Sequence, residues 1–151
     1  MSRPEKPFVL LVDDNEATCT LVTAILHRDF NVEVASDGVE ALDRLKTGNY
    51  ASVLLDLRMP QLDGFGVLDF LKSNRPDMMP RTIVLSAALS MREMERVKTY
   101  SICGVISKPF DVETLLGAVK ACVGGGPNPL GSVFSSGMLL LLADFLRQKW
   151  L

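Results

Sequence analysis

Two of the most apolar stretches in the chain run directly into acids. Phe8-Val9-Leu10-Leu11-Val12 meets Asp13-Asp14, and Ser52-Val53-Leu54-Leu55 meets Asp56. A further apolar stretch, Thr82-Ile83-Val84-Leu85, ends in Ser86. Another, Gly104-Val105-Ile106-Ser107, is followed by Lys108-Pro109. If these stretches lie parallel in one sheet, three carboxylates, a hydroxyl and an ammonium converge beyond its carboxyl edge. Open α/β sheets bind their ligands there. Carboxylates placed side by side raise one another's pKa unless a cation lies among them. Hard oxygen donors, with no His or Cys nearby, suit Mg²⁺ rather than zinc. Mg²⁺ keeps part of its water shell, which leaves room for a phosphoryl oxygen. A carboxylate can attack phosphorus and form an acyl phosphate. Such transfer needs charge neutralisation and in-line positioning more than a general base. Mg²⁺ and Lys108 would supply the positive charge, and the Ser86 hydroxyl a hydrogen bond.

Groups so far apart in sequence meet only if a regular scaffold carries them to one edge. Helix-period segments separate the apolar runs. Glu16 to Arg28 places Leu21, Val22, Ile25 and Leu26 on one face. Val32 to Ala35 reads as a second strand. Asp37 with Glu40 resembles a capping box and opens a helix carrying Val39, Ala41, Leu42 and Leu45, closed by Gly48-Asn49. Pro60 and Asp63-Gly64 mark a turn before a helix with Val67, Leu68 and Leu71, which Asn74-Arg75-Pro76 ends. Ser90 with Glu93 is another capping box, opening a polar helix that runs to about Tyr100. Asp111 caps a last helix with Leu115, Leu116, Val119 and Cys122. The alternation predicts an α/β fold, a parallel sheet with helices on both faces.

Composition fits one folded domain. The 151 residues are 48% apolar and 23% charged, which excludes a disordered chain. A net charge of −2 argues against non-specific binding to nucleic acid, which needs a dense basic face. No apolar run reaches the roughly 18 residues of a membrane span, and no signal peptide is recognisable. Cys19, Cys103 and Cys122 form no CxxC pair and read as small, reduced, buried residues of a cytoplasmic protein. His27 reads as a helix-end residue meeting the helix dipole. Arg92, Glu93, Glu95, Arg96 and Lys98 read as a solvated helix face.

Asp13-Asp14, the Asp56-Leu57-Arg58-Met59-Pro60 run, Asp63-Gly64, Leu85-Ser86-Ala87 and Lys108-Pro109-Phe110 occur in one order and spacing. Together they make the chain resemble a stand-alone receiver domain of two-component response regulators. The resemblance implies a flavodoxin-like, doubly wound sheet of five strands in the order 2-1-3-4-5. It implies that Asp56 accepts a phosphoryl group from a phosphohistidine on a sensor histidine kinase or histidine phosphotransfer protein. Asp13, Asp14, Asp56 and the backbone carbonyl of Arg58 would hold Mg²⁺, with Ser86 and Lys108 assisting. The Lys108-Pro109 bond would be cis. Output would pass through a conformational change to a downstream protein partner, with no enzymatic activity beyond self-phosphorylation and autodephosphorylation. The family often binds partners through its fourth helix and fifth strand. One position departs: Val105 stands where the family usually carries Tyr or Phe, so the usual ring swing is not available.

Two rival readings stand beside this one. A receiver used only as a phosphorylation-independent scaffold is compatible with Val105. A phosphatase of the haloacid-dehalogenase type also combines Asp, Ser, Lys and Mg²⁺, but it needs D-x-D on the first strand, where Asn15 stands instead. A nucleotide-binding domain is disfavoured because no Gly-rich loop follows the first strand.

The expected organisation is an extension over residues 1–6, a receiver over 7–123, a Gly/Pro linker over 124–133 and an apolar helix over 134–151. Met138 to Ala143 with Phe145, Leu146 and Trp150 would form a wide apolar stripe. Three readings of it stay open: a docking helix, a segment meeting a partner or membrane surface, and artificially added sequence. A homodimer formed through this stripe is the expectation.

Overall fold

The computed structural model describes residues 5–124. The strands are β1 (Phe8–Val12), β2 (Asn31–Ala35), β3 (Ser52–Asp56), β4 (Thr82–Ser86) and β5 (Gly104–Ser107). The helices are α1 (Glu16–Leu26), α2 (Gly38–Thr47), α3 (Gly64–Asn74), α4 (Met91–Val97) and α5 (Val112–Val123). All neighbouring strands pair in parallel, in the order β2-β1-β3-β4-β5. This is the expected flavodoxin-like, doubly wound arrangement.

The continuous apolar runs follow from burial on both faces of the sheet. Successive strand side chains point to opposite sides. Leu10, Val12, Val53, Leu55, Val84 and Val105 therefore pack under α2, α3 and α4. Val9, Leu11, Leu54, Ile83, Leu85 and Ile106 pack under α1 and α5. Full burial of each large aliphatic side chain is worth about 1.5–3 kcal/mol.

Each of these five α-helices starts just past the carboxyl edge of the sheet behind a side-chain cap. Asn15, Asp37, Asp63, Ser90 and Asp111 each accept a hydrogen bond from a first-turn amide. Caps of this kind contribute about 0.5–2 kcal/mol each and fix where the loops end.

Several expectations need correction. Leu21 is 48% exposed and Val39 57%, so neither belongs to the core. Periodicity locates a helix face but not how far the neighbouring elements reach across it. Glu40 does not close a box onto Asp37; its carboxylate accepts from the amide and hydroxyl of Ser36. At Ser90 and Glu93 the reciprocal box is complete. The first helix ends at Leu26 rather than Arg28, with His27 as its C-cap. The fourth ends at Val97 rather than near Tyr100. Residues Pro76–Arg81, which had no sequence assignment, form a 3₁₀ helix. None of the three cysteines is in a disulfide; Cys103 and Cys122 are buried and Cys19 only partly so.

Among the described residues no helix is long and apolar enough to cross a membrane. The linker beyond Gly124, the C-terminal apolar helix and self-association through it lie outside the described residues, as do residues 1–4 of the extension.

Candidate functional site

Strand register builds the site. Val12 pairs with Leu55, so Asp13 and Asp56 leave the sheet edge side by side. Asp56 pairs with Leu85, which puts Ser86 one step further along β4. Ser86 in turn pairs with Ser107, and Lys108 follows. The main-chain amide of Lys108 donates to the Ser86 carbonyl at 2.7 Å. The Lys108-Pro109 bond is cis, as expected.

The carboxylates of Asp13, Asp14 and Asp56 each offer an oxygen within 4.8 Å of the others. Asp13 and Asp56 are buried and Asp14 is exposed. Lys108 Nζ donates to Asp13 Oδ2 at 2.7 Å and lies 3.7 Å from Asp56 Oδ2. The remaining oxygens are held by local backbone. Asp13 Oδ1 accepts from the Asn15 amide at 2.9 Å, and Asp56 Oδ1 from the Arg58 amide at 3.1 Å. Burial pushes the Asp56 carboxyl above its ordinary range. The Arg58 amide and Lys108 oppose the shift, while Asp13 and Asp14 add to it. One ammonium thus faces three carboxylates, so a hard divalent cation fits the donor set.

Ser86 is 1% exposed, and its hydroxyl donates to the Ala88 carbonyl at 3.4 Å. That bond is long for an O–H donor and is easily exchanged for a better acceptor. Cys19 Sγ donates to the Asp13 carbonyl at 3.4 Å, and burial, then Asp13, pushes the thiol upward.

The Asp63-Gly64 motif has a steric reason. The Gly64 amide donates to the Leu57 carbonyl at 3.1 Å, which folds the start of α3 onto the end of β3. A Cβ on Gly64 would lie 2.5 Å from the Asp56 carbonyl oxygen and 2.6 Å from Leu57 Cα. Gln61, inside this loop, has a positive φ of 65°.

Two relationships were not legible beforehand. The Arg58 guanidinium donates to the Ala88 carbonyl at 2.8 Å and to Glu93 Oε1 at 3.0 Å. It ties the loop after the phosphoacceptor candidate Asp56 to the first turn of α4. Glu93 therefore does more than solvate a helix face. Tyr100, beyond α4, donates its hydroxyl to Asp69, and its ring lies 6.5 Å from that of Phe65. Val105 is buried in the same apolar cluster. His27 matches the helix-end reading: Nδ1 lies 2.8 Å from the Ala24 carbonyl.

A shallow cleft of about 610 Å³ lined by Asp14, Arg58, Met59 and Glu93 adjoins the carboxylates. A larger one, about 940 Å³, lies at the opposite, amino edge of the sheet and does not touch this chemistry.

A doubly wound domain with an acidic crevice at its carboxyl edge is thereby defined. The response regulator receiver domain model matches residues 9–120. Response regulator MprA of Mycobacterium sp. (strain KMS) is 35% identical over 114 residues, 75% of this chain and 49% of that protein. The receiver domain of the Francisella response regulator 1452 superposes with a TM-score of 0.70 at 29% identity, covering 79% of this chain and 98% of that one. The receiver domain of the sensor histidine kinase PA1611 from Pseudomonas aeruginosa PAO1 has a TM-score of 0.72 at 24% identity, covering 80% and 100%. That structure has magnesium coordinated in its active-site cleft, and at this identity it supports the fold alone. The chain belongs to the response regulator receiver domain family, with Asp13, Asp14 and Asp56 forming its acidic pocket. It spans about half the length of the curated relatives it matches.

Proposed function

We propose that Asp56 accepts a phosphoryl group from a phosphohistidine donor on a sensor histidine kinase or phosphotransfer protein. Asp13, Asp14, Asp56 and the Arg58 main-chain carbonyl would hold Mg²⁺. Bound there, the ion neutralises charge on the transferring phosphoryl oxygens. The observation that carries the reading is the Lys108 ammonium between Asp13 and Asp56, with the second Asp56 oxygen fixed by the Arg58 amide. Asp56 Oδ2 is then the nucleophilic atom. As the O–P bond forms, the N–P bond of the donor breaks and its electron pair returns to the imidazole nitrogen. Lys108 turns from the carboxylates toward a phosphoryl oxygen. Ser86 exchanges the long bond to Ala88 for a charged acceptor, drawing the loop before α4 inward. The signal would pass to a protein partner through that loop and α4.

Asp56→Asn should abolish Mg²⁺-dependent uptake of label from acetyl phosphate while the variant stays folded. Undiminished labelling of the folded variant would sink the assignment.

A further inference from the structure

We propose that Cys103 and Cys122 form a redox-active dithiol, which a small-molecule disulfide reaching the cavity at the amino edge of the sheet converts into an intramolecular disulfide. The pair lies far from the acidic crevice, and nothing in phosphoryl transfer uses it. Cys103 immediately precedes β5, and its amide is anchored on the Thr82 carbonyl at 2.8 Å. Cys122 is in the last turn of α5. The two thiols belong to one apolar cluster and lie within side-chain hydrogen-bonding reach of each other. Cys122 Sγ also accepts from the Ser52 hydroxyl at 3.9 Å and donates to the Pro80 carbonyl at 3.6 Å.

The cavity and the hydrogen bonds around Cys122 suit thiol exchange. Both cysteines line the cavity of about 940 Å³, whose charged residues are Lys6 and Arg81 together with Glu5 and Asp77. The Cys103 hydrogen bond, helped by Ser52 and the Arg81 charge and opposed by burial, holds the Cys122 thiol below its ordinary range. The thiol that faces the cavity and is held below its ordinary range is the attacking partner; a more enclosed neighbour resolves. Cys122 is 7% exposed and Cys103 2%, which assigns those roles in that order. Cys19 sits by the Asp13 carbonyl at the other end of the sheet and serves as an internal control.

The chemistry balances. The Cys122 thiolate attacks one sulfur of the small disulfide, its S–S bond breaks, and one thiolate leaves and takes up a proton. Cys103 then loses its proton and attacks the Cys122 sulfur, and a second small thiol leaves. The chain loses two hydrogens and is oxidised; the small disulfide is reduced to two thiols. The product staples the end of α5 to the start of β5.

The test incubates the native full chain with oxidised glutathione, unfolds it, alkylates remaining thiols with a maleimide and measures intact and peptide masses. The expected product is about 2 Da lighter before alkylation and takes a single maleimide, on Cys19. Its melting temperature should rise by several degrees, as expected for closing a loop of about 20 residues. Cys103→Ser should stop at one glutathione adduct on Cys122. Cys122→Ser should leave Cys103 unmodified, with circular dichroism verifying that both variants fold. Three alkylatable thiols after oxidation, a bridge involving Cys19, or a disulfide formed only between chains would each overturn the proposal.

Discussion

Lys108 reaches the buried carboxylate of Asp13 more closely than that of Asp56, at 2.7 Å against 3.7 Å. The Asp13 side chain is fully enclosed, so Lys108 is the ammonium that offsets its burial. Lys108→Ala leaves that carboxylate without its cation. We expect a loss of about 3–5 kcal/mol in chelator, the usual result of removing one partner of a buried pair. Saturating Mg²⁺ should restore a larger part of the stability of this variant than of the unaltered chain. Urea denaturation with and without Mg²⁺ checks this, and an equal loss in both conditions would show that Lys108 does not balance the acidic pocket.

Arg58 makes a different kind of link. Its guanidinium spans from the loop after Asp56 to Ala88 and Glu93, yet its side chain is 58% exposed. Exposed pairs contribute little to global stability, roughly 0–1 kcal/mol. Arg58→Ala should therefore fold normally and still take up phosphate, since its proposed metal ligand is a main-chain carbonyl. The amides of residues 87–91 should exchange hydrogen faster than in the unaltered chain. Unchanged exchange there would mean that the loop is held by something other than Arg58.

The sheet and the acidic crevice were legible because burial on both faces leaves a continuous apolar signature, and because parallel pairing carries every strand end to one edge. Asp13, Asp56, Ser86 and Lys108 are ordered by that register alone. Arg58 with Glu93, Tyr100 with Asp69 and Cys103 with Cys122 were not legible. Each joins elements whose relative position depends on tertiary packing rather than on periodicity. The 3₁₀ helix at Pro76–Arg81 was missed because its prolines rule out an interior α-helix without signalling the tighter turn.

Val105 has consequences for packing. It is 1% exposed and shares its cluster with Tyr100, Met94 and Val97, while Tyr100 is itself anchored on Asp69. The cluster around Val105 already holds the rings of Tyr50, Phe65 and Tyr100. Val105→Phe should cost about 1–3 kcal/mol by overpacking. Chemical denaturation measures it, and a stabilised variant would show unused space beside β5.

Glu40 gives a pH-dependent contribution. The Ser36 amide is the main influence holding its carboxyl below the ordinary range, with the Ser36 hydroxyl and Arg44 assisting and burial opposing. A carboxylate lowered in the folded state adds stability that is fully present above its unfolded pKa of about 4.3. That contribution is lost as pH falls through the lower folded value. Glu40→Gln should therefore unfold at lower urea than the unaltered chain at neutral pH, and the gap should close as pH falls through the lowered carboxyl range. A gap of constant size across that range would assign the effect to packing instead.

Gly64 and Gly117 form a matched pair for testing how tightly the acidic loop is built. At Gly64 the atoms in the way of a Cβ belong to backbone, the Asp56 carbonyl at 2.5 Å and Leu57 Cα at 2.6 Å, and backbone cannot rotate aside. At Gly117, on α5, a Cβ would meet nothing within 4 Å. Gly117→Ala should stabilise the fold by about 0.5–1 kcal/mol through helix propensity. Gly64→Ala gains the same propensity but must push α3 off the end of β3, displacing Asp56. It should lower both the unfolding midpoint and the rate of Mg²⁺-dependent labelling from acetyl phosphate, whereas Gly117→Ala leaves the labelling rate unchanged. Equal labelling by the two variants would show that the position of Asp56 does not depend on the close approach of Gly64.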